Sequence, residues 1–424
     1  MIDRKKGPII TTEFDLSVKG VTESILANNI ALVEVNDGTQ DIIKAELVFP
    51  TGRIHETKIA AAKATIALLR EGSTRHNAKE LAHIYDYYGA VVKASCTMEY
   101  ASMSLVIVER YFAEVWPIWL HMVFYPLFAE EEVAKYKKVY SQKLVESLSQ
   151  NDVQSYRELT ELIFGSAHPY GYNTQPADIA QLQKEDLLDF YNQNMGIDNS
   201  FMILSGKYTE ETRNTITNSL VQITRKNQHP EPSFKETAHR GGRHWVMTDN
   251  EIQTSIKIGR TLFPIKHPDY TILRLLNTIL GGYFGSRLMK NIREDKGYTY
   301  GIYSAVHCWT QGGFIYISAD VDPVYEEPTL EQIELEMTKL TEELIPEAEL
   351  TMVKNYVLGQ TLHLLDGPFA KGQLVKNLKV KQLDLDLFNA NVEQIKNLGA
   401  EELRTIARKY LNFEDYTIVM AGNK

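Results

Sequence analysis

Cysteine is nearly absent from this 424-residue chain, which carries only Cys96 and Cys308. Two cysteines in alternating, strand-like segments make no disulfide framework, and a small buried thiol is the default for each. An excess of basic residues is missing too: 45 Lys and Arg stand against 55 Asp and Glu, a formal net charge of -10. That balance excludes a nucleic-acid surface or an anionic membrane as the expected partner. Long apolar runs are also lacking. The most aromatic stretch, Tyr111 to Phe128, is interrupted by Glu114, Pro117, His121 and Pro126, so it predicts a buried helix and not a span of about 20 apolar residues. The first residues, Met-Ile-Asp-Arg-Lys-Lys-Gly-Pro, hold no apolar core for a secretory signal, and a cytoplasmic location is the expectation.

What is present is enough apolar residue, 44%, for sizeable cores, in a length that suits two domains of about 200 residues. Asn29 to Val35 alternates, Asn36-Asp-Gly turns, and Lys44 to Phe49 follows, which predicts a hairpin-like opening. His55 to Leu69 has helical spacing and stops at Gly72, with Ser73 and Thr74 as candidate caps for a helix from Asn77 to Tyr88 that Gly89 ends. Val91 to Val108 then reads as a strand, a bend near Glu99 and a return strand. Helices through Trp116, from Glu130 to about Ser149, from Leu159 to Phe164 and from Lys184 to Tyr191 precede a closing strand, Phe201 to Ser205.

The second half repeats the first. Gly89-Ala-Val-Val is echoed 208 positions later at Gly297-Tyr-Thr-Tyr, while Glu185-Asp-Leu-Leu and Phe201-Met-Ile-Leu are echoed 216 positions later at Glu401-Glu-Leu-Arg and Thr417-Ile-Val-Met. Pro230, Pro232, Gly241 and Gly242 in polar surroundings mark a linker. The expected fold is therefore α+β: two tandem homologous domains, 1–228 and 243–424, joined by a linker at 229–242, each a mostly antiparallel sheet with helices on one face.

Within the second domain, Leu280 to Tyr303 combines a glycine-rich bend, a short amphipathic helix ending in basic residues, a turn glycine at Gly297 and the start of an aromatic strand. Arg293 and Tyr300 flank that turn. A guanidinium fork and a phenol aimed into one cleft are donors suited to a developing oxyanion. Tyr298, two residues earlier, would share the strand face of Tyr300. The glycine run is no phosphate loop, because it follows a helix and lacks the Gly-Lys-Ser/Thr ending.

Leu280-Gly-Gly-Tyr-Phe-Gly-Ser-Arg-Leu and Ile292-Arg-Glu-Asp-Lys-Gly-Tyr-Thr-Tyr together resemble the second domain of the pitrilysin/insulinase family of zinc metallopeptidases. The bend at Gly72-Ser73 and the Phe369-Ala-Lys-Gly region extend the resemblance over the whole chain. It implies a clamshell when dimeric, Arg293 and Tyr300 as transition-state donors, and Gly281, Gly282, Gly285 and Ser286 as backbone lining a peptide chamber.

Active members of that family carry H-x-x-E-H before such a bend and a carboxylate on a later long helix, which supply zinc ligands and a base. Here the ligand positions fall on Lys63, Ala67 and Lys143 and the base position on Ile66. None can serve. His76, Glu80 and His83 share one helical face, but on the helix after the bend, where the family has no ligands. The resemblance therefore implies a zinc-free subunit, inactive alone, with no cofactor of its own. Its partner would be a homologous subunit bearing the zinc, or alternatively a second copy, and its substrates unfolded or short peptides. Two other readings stand beside it: an inert assembly homologue, and a self-sufficient zinc peptidase using His76, Glu80 and His83.

Overall fold

The computed structural model describes residues 15–227, 232, 234, 241–249 and 252–423, so the predicted linker at 229–242 falls mostly outside the described residues. Among those described, β1 (Thr22–Ile25), β2 (Ala31–Asn36), β3 (Ile42–Phe49), β4 (Val91–Cys96), β5 (Ala101–Val108) and β6 (Phe201–Gly206) form one sheet, ordered β1-β2-β6-β3-β5-β4. A second sheet joins β7 (Gly242–Met247), β8 (Thr254–Leu262), β9 (Thr299–Cys308), β10 (Gly313–Val321) and β11 (Thr417–Gly422) in the order β7-β11-β8-β10-β9. Apart from β1 the two orders are the same. Each contains one parallel pair, β2 with β6 and β7 with β11.

Helices of the first half are α1 (Ala61–Leu68), α2 (Ala78–Tyr88), α3 (Phe112–Phe124), α4 (Glu130–Leu148), α5 (Asn151–Phe164), α6 (Pro176–Gln181), α7 (Lys184–Asn194) and α8 (Glu210–Leu220). Those of the second are α9 (Tyr270–Asn277), α10 (Glu326–Glu342), α11 (Glu347–His363), α12 (Gly367–Lys379), α13 (Leu385–Asn397) and α14 (Ala400–Tyr410). The bounds of α7 and α14, and of β6 and β11, differ by 216 at both ends, so the repeat is architectural.

Two sequence expectations change in detail. The opening strands do not form a hairpin, because β6 lies between β2 and β3 and pairs with both. All six residues of β6 are buried, and a strand apolar on both faces gains most in the middle of a sheet. The cap of α2 is Asn77, whose side chain accepts from the Glu80 N–H at 3.0 Å while Glu80 accepts from the Asn77 N–H at 2.9 Å. Ser73 instead turns the preceding bend by accepting from the Arg75 and His76 N–H groups. The aromatic stretch forms the buried helix α3, with Trp116 and Trp119 stacked at 5.1 Å, and among the described residues no helix is long and apolar enough to cross a membrane.

Each half's own helices do pack on one face of its own sheet. The opposite faces are closed by exchange. α5 lies on β8 and β11 of the second sheet, burying Leu159, Ile163 and Phe164 against Phe314, Tyr316 and Val419. α12, which starts 216 positions after α5, lies on β2 and β6 of the first, with Val375 among Val33, Val48, Phe201 and Ile203. Both contacts contain an ion pair. Glu46 on β3 meets Lys376 of α12 at 2.7 Å and Lys44 at 2.6 Å; Lys257 on β8 meets Asp152 of α5 and donates to Ser318 Oγ at 2.7 Å. Glu46 is paired with Ile203 and Lys257 with Val419, so the two occupy equivalent places in the two sheets. The two hairpin bends also touch, Glu99 accepting from the Thr310 N–H at 2.8 Å.

Candidate functional site

Leu280 to Tyr303 folds as two π-helical segments, Thr278–Gly282 and Met289–Asp295, on either side of the glycine bend, and then enters β9. Such wide turns are rare and are found mainly where function bends a helix. At Gly281 the bend touches the strand: a Cβ there would sit 2.6 Å from the Ser304 backbone nitrogen, so only glycine fits. Asn277 Nδ2 donates to the Ser304 carbonyl at 3.2 Å and fastens the outer edge of β9. Nearby a cavity of about 640 Å³ opens, bordered by Gly281, Gly282, Phe284, Tyr300, Tyr303 and Asp320 among others.

The strand is bulged at this point. Ala319 faces Ile302 and Val321 faces Thr299, so Tyr300 and Gly301 together oppose Asp320. The Thr299 hydroxyl holds the irregularity by donating to the Asp320 carbonyl at 2.7 Å, and it accepts from the Gly301 N–H at 3.1 Å. A bulge re-aims side chains and breaks strand alternation. Tyr298 precedes β9 and stacks on Tyr325 at 4.6 Å. Tyr300 is 90% exposed.

Arg293 lies in the last turn of its segment, with its guanidinium 4.7 Å from the Phe284 ring centre. Gly297 makes the turn between the two donors with φ of +70°. Tyr300 lines the cavity and Arg293 rests on Phe284, which lines it as well, so the two reach one wall. Neither side chain has a hydrogen bond or ion pair among the described residues. Of the predicted backbone positions, Gly281 and Gly282 border this cavity, whereas Gly285 borders a separate, more polar cleft beside Arg287 and Glu349. Ser286 is 1% exposed and borders neither.

In the first domain the ligand and base positions of the resemblance lie on α1 and α4. Lys63 and Lys143 converge on one ring, Tyr140, at 5.9 and 5.4 Å, while Ile66 is buried in the core. Ammonium groups, a sec-butyl group and a methyl offer zinc no lone pair, so these residues do not fit the ion. In the alternative trio, Glu80 is occupied capping α2 and stands 4.0 Å from His76. Among the described residues no three His, Cys, Asp or Glu side chains are grouped as a metal ion requires.

Residues 181–357 match the Peptidase M16 inactive domain. The chain is similar to M16 peptidase-family proteins over most of its length. It is 22% identical over 403 residues to the "Uncharacterized zinc protease YmxG" of Bacillus subtilis, covering 93% of this chain and 96% of that one. It is 21% identical over 433 residues to the "Non-peptidase homolog YmxG" of Helicobacter pylori, covering 96% and 97%. The fold matches the crystal structure of a peptidase M16 inactive domain from Pseudomonas fluorescens with a TM-score of 0.87 at 20% identity, over 95% of this chain and 98% of that one.

The other reactive groups of the M16 fold are held quiet. Burial pushes the Cys96 thiol up to about 12, reinforced by the Glu56 charge, and burial pushes Cys308 up to about 12 as well, so neither is a thiolate nucleophile. Burial also raises the Glu56 carboxyl, although Tyr172 donates to it and the Ala62 N–H reaches it at 3.0 Å. Asp320 was not a site residue on sequence grounds. It sits in an apolar strand with no motif around it, and in the fold it lines the cavity opposite the bulge of the neighbouring strand.

Proposed function

We propose that this M16 chain is the zinc-free subunit of a heterodimeric metalloendopeptidase. Arg293 and Tyr300 reach across a shared chamber to the zinc site of a homologous partner. The partner supplies the zinc and the base for its water. This chain supplies two donors, which hydrogen-bond the scissile carbonyl oxygen as negative charge gathers on it in the tetrahedral intermediate. The observation that carries the reading is that a 90%-exposed phenol lines the cavity and a guanidinium rests on Phe284 of its wall, neither with a hydrogen-bond or ion-pair partner among the described residues. Donors left unused within a fold are available to a ligand.

Substrates on this reading are unfolded or short peptides, selected by size and by strand pairing. An edge is offered by β4, which among the described residues pairs with β5 alone. The test is to mix the chain with a zinc-bearing homologous subunit and follow hydrolysis of a quenched fluorescent peptide. Arg293→Ala and Tyr300→Phe should each lower the rate about a hundredfold to a thousandfold, the usual loss for one preorganised donor.

The second reading, a catalytically inert assembly homologue, is favoured by the loss of ligand chemistry at Lys63, Ala67 and Lys143 together with Ile66 at the base position. Unchanged cleavage by the Arg293→Ala complex would establish that reading instead. Stoichiometric zinc in the purified chain alone would overturn both.

A further inference from the structure

We infer that the cavity between the glycine bend and β9 is a side-chain pocket for a cationic residue, lysine or arginine, of the bound peptide. This rests on the peptide-binding reading above and adds a specificity to it.

Three features of the cavity carry the inference. Its walls include four aromatic rings, Tyr283, Phe284, Tyr300 and Tyr303, and ring faces attract a cation through their quadrupoles. Its lining includes one carboxylate, Asp320, and no lysine, arginine or histidine among the described residues. That carboxylate has no hydrogen bond or ion pair to another described side chain, so its charge is uncompensated within the fold. The volume, about 640 Å³, takes a long side chain with room for water. The Arg293 guanidinium is held against Phe284 and stays out of the lining. A norleucine-sized apolar chain would satisfy the rings and leave Asp320 unpaired. An acidic one would be repelled by it.

The bulge gives the arrangement a reason. A regular β9 would place a single residue against Asp320, whereas the extra residue turns Tyr300 toward the same opening as the carboxylate. The phenol that serves the scissile carbonyl and the carboxylate that reads the side chain are thus opposite each other across one strand pair.

The experiment uses the full chain and fluorescent ten-residue peptides that differ at one central position, lysine, arginine, norleucine or glutamate. Anisotropy titrations should show lysine and arginine peptides binding at least tenfold more tightly than norleucine, with the difference shrinking as salt is raised. Asp320→Asn should cut that preference to below twofold. Equal binding of the lysine and norleucine peptides by the unmodified chain would overturn the charge preference and leave peptide binding standing. Absence of binding for every peptide, with the zinc-bearing subunit present or not, would remove the underlying reading too. Because the comparison among peptides uses the unmodified chain, a misfolded variant would not blunt it.

Discussion

Tyr300 owes its exposure to Thr299. The threonine hydroxyl is spent on the Asp320 carbonyl and the Gly301 amide, so Thr299→Val strips the bulge of its only side-chain tie among the described residues. The expected cost is about 1–3 kcal/mol, the penalty for leaving a buried polar group unmatched, measured as a lower urea midpoint. Peptide cleavage by the mixed complex should fall as well, since Tyr300 loses its fixed aim. A second residue-scale prediction concerns Glu56. Burial raises its carboxyl in the folded chain, so the folded state keeps that proton to higher pH than the unfolded state does. Stability from this group is complete below the unfolded carboxyl range and is lost as pH rises through the raised value. Glu56→Gln should therefore be more stable than the parent at about pH 8, with the advantage fading toward about pH 4; urea titrations at both values decide it. The Arg293 and Tyr300 positions were legible in the sequence because their spacing around Gly297 is local. Asp320 was not, since its neighbour across the ladder is set by a register shift that no spacing records.

At the scale of elements, the exchange of α5 and α12 is what binds the two halves. Burial alone would raise Glu46, but Lys44 and Lys376 outweigh it and hold the carboxyl below its ordinary value. The stability this contributes is present above the unfolded carboxyl range and is lost as pH falls through the depressed value. Lys376→Met removes the partner that α12 brings and leaves Glu46 to Lys44 alone. Breaking a buried pair usually costs about 3–5 kcal/mol, and the surviving Lys44 contact should keep this case near or below the low end. Denaturation of the variant should show a reduced midpoint at neutral pH and a smaller loss on acidification than the parent. Individual helices and strands were readable from periodicity and caps. Their partners were not: the alternation of β2 and β3 suggested a hairpin, and β6, arriving from residue 201, displaced it.

For the whole molecule, exchange makes two homologous domains interdependent. Each sheet leaves an apolar face that the other half's helix covers, α5 over Phe314, Tyr316 and Val419, and α12 over Val33, Phe201 and Ile203. Residues 1–241 and 242–424 produced separately should each expose that face and aggregate. Co-expressed, they should elute as a one-to-one complex in size-exclusion chromatography, and the intact chain should unfold in one cooperative transition. A half that is monodisperse by itself would show that the exchanged helix is dispensable.

The sequence by itself determined the duplication, the α+β class, the family resemblance and the lack of metal-binding side chains at Lys63, Ile66, Ala67 and Lys143, because composition, periodicity and motif spacing act over a few turns of chain. Only the tertiary structure decided which helix covers which sheet, where β9 bulges, and that Asp320 shares a cavity with Tyr300. Those features depend on pairings such as Glu46 with Lys376, 330 positions apart. A contact of that separation is chosen by the competition among all the apolar faces and charges the folded chain must match, and no local pattern carries it.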